Sequence, residues 1–294
     1  YTTAIDMGTS PMDVLFDAPL VYEDPVTHVK WKPRNFSNEF HGPVTLQRAL
    51  EMSYNTATIR LAEKVGIEKV ISYAQRLGIT SPLKPYLSLA LGTSEVTLLE
   101  MVAAYGTLAN QGIRAEPVFI TQIKDNRGLI LEENRPRLSP ALSPQTAYVA
   151  TQMLKGVIER GTGKGAKVLA RPLAGKTGTT DDYGDAWFIG FSPTLATGVW
   201  VGMDARATLG RLETGARAAL PIWIDFMKAA LEEKEVQDFP IPDKIKLLDV
   251  NPETGLLPGP ECSNTIPVAF IEGTEPKTQC TARSAAVMKE SQQP

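Results

Sequence analysis

The sequence predicts a mixed α/β fold in which an antiparallel sheet is flanked by helices and joined to an all-helical subdomain. Three observations carry this. Apolar residues recur at helical spacing through much of the chain as far as Gly112. Three neighbouring runs between Leu173 and Met203 are short, rich in small, aromatic and β-branched residues, and separated by turn residues. An amphipathic stretch, Ile222 to Leu231, follows them just after Pro221.

Taken in order, Tyr1 to Met7 reads as the last turns of a helix ended by Gly8, and a Pro-rich loop runs on to about Pro43. Thr45 starts an apolar periodicity through Leu46, Ala49 and Leu50. It breaks at Ser53-Tyr54-Asn55 and resumes through Ile59, Leu61, Ala62 and Val65, the pattern of helix, short polar turn, helix. A third helix is expected over Glu68 to Leu77, with Gly78 behind it. A fourth opens at the capping box Thr97-x-x-Glu100 and ends near Asn110-Gln111-Gly112. Asp125-Asn126-Arg127-Gly128 between Val118 to Ile123 and Leu129 to Leu131 is hairpin chemistry. Ser143-Pro144 begins another helix, stopped at Gly161-Thr162-Gly163. The runs Ala174 to Thr180, Ala186 to Phe191 and Thr197 to Met203 then read as three antiparallel strands, and prolines punctuate short extended pieces beyond Lys234. The expected organisation is one unit over residues 1–234 and a C-terminal tail over 235–294.

Composition narrows the function. With 294 residues, 43 % hydrophobic and 21 % charged, the chain can enclose a full core, which argues against disorder or a disulfide-dense scaffold. A net charge of -3 with scattered Lys and Arg offers no footprint for nucleic acid. No apolar run is long enough to cross a bilayer, and Tyr1 to Gly8 lacks a secretory pattern. Because the chain opens on Tyr1, in mid-helix by pattern, a preceding segment is expected to have been removed. Cys262 and Cys280, the only cysteines, are either bridged or two free thiols.

Two short signals carry chemistry: Ser53-Tyr54-Asn55 at a helix-to-helix turn, and Lys176-Thr177-Gly178-Thr179-Thr180 on a strand. A phosphate-binding loop would need glycine where Ala170 stands. Gly161-Thr162-Gly163-Lys164-Gly165-Ala166 fits a relaxed dinucleotide fingerprint but follows a helix instead of a strand, so it reads as a helix-ending turn. His28 and His41 are isolated and the cysteines lack close paired partners, so neither a metal site nor a His-dependent triad is expected, and no cofactor is called for. His41 reads as a loop hydrogen-bonder, and Trp187, Phe188 and Trp200 as sheet packing.

Ser-x-Asn followed by Lys-Thr-Gly makes up two of three elements, in order, of the signature of penicillin-binding proteins and serine β-lactamases; the third is Ser-x-x-Lys. The surroundings resemble class A penicillin-binding proteins. They are Trp31-x-Pro33-x-Asn35, His41-Gly42-Pro43-Val44-Thr45-Leu46, Leu91 to Thr97 with Ala104-Tyr105, Ala174 to Thr180, and Asp185-Ala186-Trp187-Phe188, and the resemblance spans residues 1 to 234. It implies a β-lactamase/transpeptidase-like fold and acyl transfer from peptides ending in D-Ala-D-Ala to a serine and then to an amine. Peptidoglycan stem peptides and β-lactams would be the ligands. In this reading Ser53 relays a proton, Asn55 orients the substrate amide, and Lys176, Thr177 and Thr179 grip the terminal carboxylate. The Thr179 N–H is an oxyanion donor, and Gly178 lets substrate backbone lie along the strand.

The one literal Ser-x-x-Lys, Ser81-Pro82-Leu83-Lys84, comes after Ser-x-Asn and sits in a loop, so it reads as a decoy. The nucleophile is expected upstream of Tyr1, on the helix of which Tyr1 to Met7 is the remainder. With it would lie the first two sheet strands, leaving an inactive fragment with an exposed sheet edge and a tendency to aggregate. Further upstream the resemblance implies a glycosyltransferase domain and a membrane anchor, which would put the protein on the extracytoplasmic face of a bacterial membrane. A D,D-carboxypeptidase or β-lactamase, or a non-catalytic scaffold of the same fold, are the alternatives. A class A β-lactamase would need a deacylating glutamate, for which the sequence offers no candidate. Phe270 to Pro276 resembles the tails of class A synthases.

Overall fold

The computed structural model describes residues 1–23, 28, 30–205, 207–260 and 262–282. Helix α1 (Thr2–Asp6) comes first, with Thr3, Ala4 and Ile5 buried. The expected loop from Gly8 to Pro43 instead carries β1 (Val14–Asp17), β2 (Tyr22–Glu23) and β3 (Lys30–Trp31), and ends in β4 (Gly42–Thr45). β1 pairs antiparallel with β4, Leu15 facing Val44, and β2 pairs with β3. These strands are two to four residues long, too short for a period-two pattern to emerge among prolines, and tertiary pairing defines them.

Thr45 caps α2 (Leu46–Met52), its hydroxyl accepting from the Arg48 N–H at 3.2 Å. α3 (Asn55–Val65) and α4 (Ile67–Arg76) follow, separated by Gly66. α5 (Leu98–Ala109) begins in the capping box read from Thr97 and Glu100. Next come β5 (Ile113–Ala115), β6 (Gln122–Lys124), β7 (Ile130–Glu133) and β8 (Leu138–Pro140). β6 and β7 form the expected hairpin, with Asp125 Oδ1 accepting from the N–H groups of Arg127 and Leu129. The pairing of β5 with β8 was not legible, because it joins segments more than twenty residues apart without alternation.

Ser143 caps α6 (Pro144–Arg160), accepting from the Thr146 N–H at 3.1 Å with proline in the first turn. α6 is the central helix, buried from Thr146 to Ile158 along most of its length and packed on α1, α2, α5 and the sheet. That sheet is β11 (Ala196–Gly202), β10 (Asp185–Phe191) and β9 (Ala174–Thr179), in the order β11-β10-β9, all antiparallel. A π-helical turn, Gly215–Ala219, leads into α7 (Leu220–Leu231), which therefore starts before Pro221, a residue a first helical turn accepts. β12 (Ile245–Val250) pairs with β13 (Ile266–Ile271), and Cys262 and Cys280 form a disulfide. The last stretch of the expected tail, 283–294, lies outside the described residues.

α7 covers one face of the sheet, where Phe188 meets the fully buried Trp223 edge-on at 4.9 Å and the Trp223 indole N–H donates to Thr197 O. The other face packs Phe191 against Tyr105 of α5 and against Phe239. A mixed α/β fold of helices and antiparallel sheets is thus observed, with β9 at one edge of the sheet beside the junction of α2 and α3.

Candidate active site

Helix α2 stops because Ser53 takes the left-handed conformation, φ 59° and ψ 46°, a region that costs a residue with a Cβ about 1–2 kcal/mol. The turn sends the Ser53 hydroxyl across to β9, where Lys176 Nζ donates to Ser53 Oγ at 2.8 Å and to the Thr177 carbonyl at 3.0 Å. Ser-x-Asn and Lys-Thr-Gly, 123 residues apart, therefore meet in direct contact. Among the described residues no carboxylate pairs with Lys176. Burial pushes its ammonium down to about 8 from the usual 10.5, so this is a cation whose protein partners are a hydroxyl and a carbonyl. Such a group favours an anionic ligand.

Asn55 opens α3. Its Nδ2 donates to Arg34 O at 2.7 Å and its backbone N–H to Asn35 Oδ1 at 2.8 Å, while its own Oδ1 has no partner among the described residues. On β9, alternation separates the side chains. Lys176 turns to the Ser53 side, whereas the Thr177 hydroxyl pairs with Thr162 Oγ1 at 2.8 Å and the Thr179 hydroxyl accepts from the Gly215 N–H at 3.0 Å. Thr179 keeps its own O–H proton to donate. Thr180 N–H donates to Asp185 O across the β9–β10 ladder, so by alternation the Thr179 N–H points to the open edge of β9. Gly178 lies opposite Trp187, and Trp187 and Trp200 pack together at 6.2 Å on the sheet.

Several residues that build the site are invisible to motif reading. Gly161 does end α6, but the turn it starts also ties the two motifs together. The Thr162 N–H donates to Glu51 O at 3.1 Å, at the end of α2, while its hydroxyl reaches Thr177 on β9. A Cβ on Gly161 would overlap Glu51 O, so only glycine allows that approach. Glu51 itself is buried and accepts from Gln47 Nε2 at 2.8 Å and from Arg160 Nε and Nη2 at 3.0 and 2.7 Å. Gly215 presses on Gly178 and Trp187 so closely that a Cβ would overlap both carbonyl oxygens. The recurrence of Gly beside Thr at 161–163 and 214–215 was the available signal.

Ser81 is bonded at the start of α5, not to Ser53 or Lys176. Its N–H and hydroxyl donate to Glu100, which also accepts from Thr80 and Thr97, and these hydrogen bonds hold the Glu100 carboxyl far below the usual carboxylate range. Ser81 therefore serves to clamp a loop to the start of α5. His41 bonds Asp17 through Nδ1 at 2.8 Å. Among the described residues, no group of three or more His, Cys, Asp or Glu side chains is placed to hold a metal ion, and no helix is long and apolar enough to cross a membrane.

Residues 1–227 match the family described as the penicillin binding protein transpeptidase domain, and residues 241–284 match the penicillin-binding protein 1A C-terminal domain. Penicillin-binding protein 1A of Aquifex aeolicus is 42 % identical over 97 % of this chain and 39 % of its own length. The protein of that name from Pseudomonas aeruginosa is 36 % identical over 87 % of this chain and 37 % of its length. The chain thus spans well under half the length of these relatives. Among solved structures, penicillin-binding protein 1A from Haemophilus influenzae superposes with a TM-score of 0.88 at 30 % identity, covering 96 % of this chain and 48 % of that one. The imipenem acyl-enzyme complex of penicillin-binding protein A from M. tuberculosis gives 0.64 at 26 % identity, covering 78 % and 58 %.

Proposed function

This chain belongs to the penicillin-binding protein transpeptidase family, and on that premise we propose that the intact protein is a serine D,D-transpeptidase of peptidoglycan. In this reading it takes an acyl group from stem peptides ending in D-Ala-D-Ala onto a serine, releases D-Ala, and passes the acyl group to an acceptor amine. β-Lactams, which carry a carboxylate beside a strained amide, would acylate the same serine and remain attached.

The observation that carries the proposal is the Lys176 to Ser53 contact at 2.8 Å, with Lys176 free of any carboxylate among the described residues. Lys176 holds the substrate carboxylate and keeps the Ser53 hydroxyl oriented. Ser53, accepting from Lys176, has its own proton to hand to the leaving amine. The open Oδ1 of Asn55 accepts from the substrate amide N–H, and the Thr179 N–H stabilises the oxyanion. Thr179 donates its O–H to the carboxylate while Gly215 occupies its lone pair, the Thr177 hydroxyl is engaged by Thr162, and Gly178 leaves room along β9 for an extended peptide.

The nucleophilic serine and its lysine come, in this proposal, from a Ser-x-x-Lys segment preceding Tyr1 in the intact protein, and the 294 residues alone are inactive. The intact protein is anchored at the extracytoplasmic face of the membrane and joined to a glycosyltransferase domain.

The test is labelling with a fluorescent penicillin. A protein extended on the N-terminal side is expected to carry a covalent label that survives denaturing electrophoresis and is displaced by unlabelled β-lactam, whereas residues 1–294 alone take none. Absence of label on the extended protein would overturn the proposal. Rapid loss of label by hydrolysis would favour a β-lactamase.

A further inference from the structure

Behind the Ser53 to Asn55 turn lies a buried carboxylate that the proposed chemistry does not use. Asp17, at the end of β1, is fully buried, and every side chain bonded to it belongs to a segment flanking that turn. Asn35 Nδ2 donates to both of its oxygens at 2.8 Å, and the His41 N–H and Nδ1 donate to Oδ2 at 3.0 and 2.8 Å. The Thr56 hydroxyl donates to Oδ1. Among the described residues no Lys or Arg pairs with Asp17. Burying a carboxylate is costly unless it is well hydrogen-bonded, and these directed hydrogen bonds offset that cost while fixing the groups that make them.

What they hold is the start of α3. Tyr54, its N-cap residue, makes no side-chain cap, so the first N–H groups of the helix need an acceptor from elsewhere. Asn35 supplies it: its Oδ1 accepts from the Asn55 and Thr56 N–H groups at 2.8 and 3.4 Å. The preceding carbonyl, Arg34 O, takes the Asn55 amide, and His41 stacks on Tyr54 at 4.2 Å. Asp17, together with the Glu39 carbonyl at 2.8 Å, fixes which way Asn35 faces, because both only accept and so turn the Asn35 NH2 toward themselves and Oδ1 toward α3.

We propose that Asp17, Asn35, Thr56 and His41 are positioning residues for catalysis, a cap assembled in trans that sets the backbone of Asn55 and through it the Ser53 to Asn55 turn. They touch no substrate. The inference rests on the function proposed above, in which Ser53 and Asn55 act on the substrate.

The test uses the full-length protein with Asn35→Ala, Thr56→Val and Thr56→Ser. Asn35→Ala is expected to lower the maximal rate of acylation by fluorescent penicillin about 10- to 100-fold, as misplacement of a catalytic group by about 1 Å does. The concentration giving half the maximal rate should change by less than about threefold, since Lys176 still binds the carboxylate. Hydrogen exchange at the Asn55 and Thr56 amides should accelerate. Thr56→Val keeps the shape and loses the hydroxyl, so it should slow acylation, and Thr56→Ser should restore most of the rate.

Wild-type acylation by folded Asn35→Ala would overturn the inference. Where Asn35→Ala does not fold, the Thr56 pair decides: equal rates for Val and Ser would overturn it. If even the wild-type protein takes no penicillin, the proposed function fails on its own account. The exchange measurement then decides the positioning role, and unchanged Asn55 and Thr56 amides in Asn35→Ala would end it.

Discussion

If Lys176 holds the substrate carboxylate as proposed, it sets the pH behaviour of the site. Its ammonium titrates near 8 because burial disfavours the charge, and a β-lactam carboxylate stays ionised throughout the neutral range. Below about pH 8 cation and anion coexist; above it the cation is lost. Acylation efficiency at low ligand concentration should therefore hold steady from about pH 6 to 7 and fall as pH rises through 8, and saturating ligand should move that limb to higher pH by stabilising the charge. Stability runs the other way. A folded-state pKa below the unfolded value makes the charged lysine a liability below pH 8, relieved as pH rises toward 10.5. Lys176→Met should remove the alkaline limb, lower acylation about 100-fold or more and leave the melting temperature unchanged or higher, as pH profiles and thermal melts would read. Ser53 shows the same division. Glycine accepts its left-handed backbone without the Cβ clash, which offsets the lost hydrogen bond from Lys176, so Ser53→Gly should change stability by no more than about 1 kcal/mol while acylation drops about 100-fold. An acylation rate within about twofold of wild type would remove Ser53 from the proton path.

At the scale of elements, the Gly161-Thr162-Gly163 turn couples the end of α2 to β9. Gly161→Ala forces its Cβ into Glu51 O, so it should destabilise the protein by about 1–3 kcal/mol in denaturant unfolding and, by drawing Thr162 off Thr177, also slow acylation. Thr162→Val should slow acylation with little loss of stability, which separates the two effects. These couplings mark the limit of what the sequence made legible. Helices α2 to α6 could be read because apolar residues recur at helical spacing, with the caps Thr45, Thr97 and Ser143 marking the starts of α2, α5 and α6. β9, β10 and β11 could be read because they are long and follow one another closely. β1 and β4 could not, since four residues next to proline establish no period. The same holds within the site: Ser53, Asn55 and Lys176 stand in motifs. Asp17, Glu51 and Thr162 owe their place to contacts between distant segments that leave no local pattern.

Across the whole molecule, the C-terminal β12–β13 ribbon packs on the same core as the helices that carry the candidate site. Ala269 lies in the core built around α6, with Ile245 and Ile271 packed against it. Val250, Val268 and Phe270 close over Met12, in the segment leading from α1 to β1. That segment is itself bonded to α2, since the Leu46 and Gln47 N–H groups donate to Asp13 O and Pro11 O at 2.8 Å. A path of packed residues therefore runs from the ribbon, through Met12, to the helix that ends in Ser53. Phe270 is fully buried and truncating it leaves a cavity between these parts, so Phe270→Ala should cost about 3–5 kcal/mol. The loss should appear as one cooperative transition shifted to lower temperature in calorimetry, because the same residues serve both parts of the core. Removing residues 235–294 altogether would bare Met12 and the α6 face and lower stability further. Two separate transitions, with the higher one unmoved by Phe270→Ala, would show that residues 1–234 stand alone and that the ribbon has no hold on the Ser53 turn.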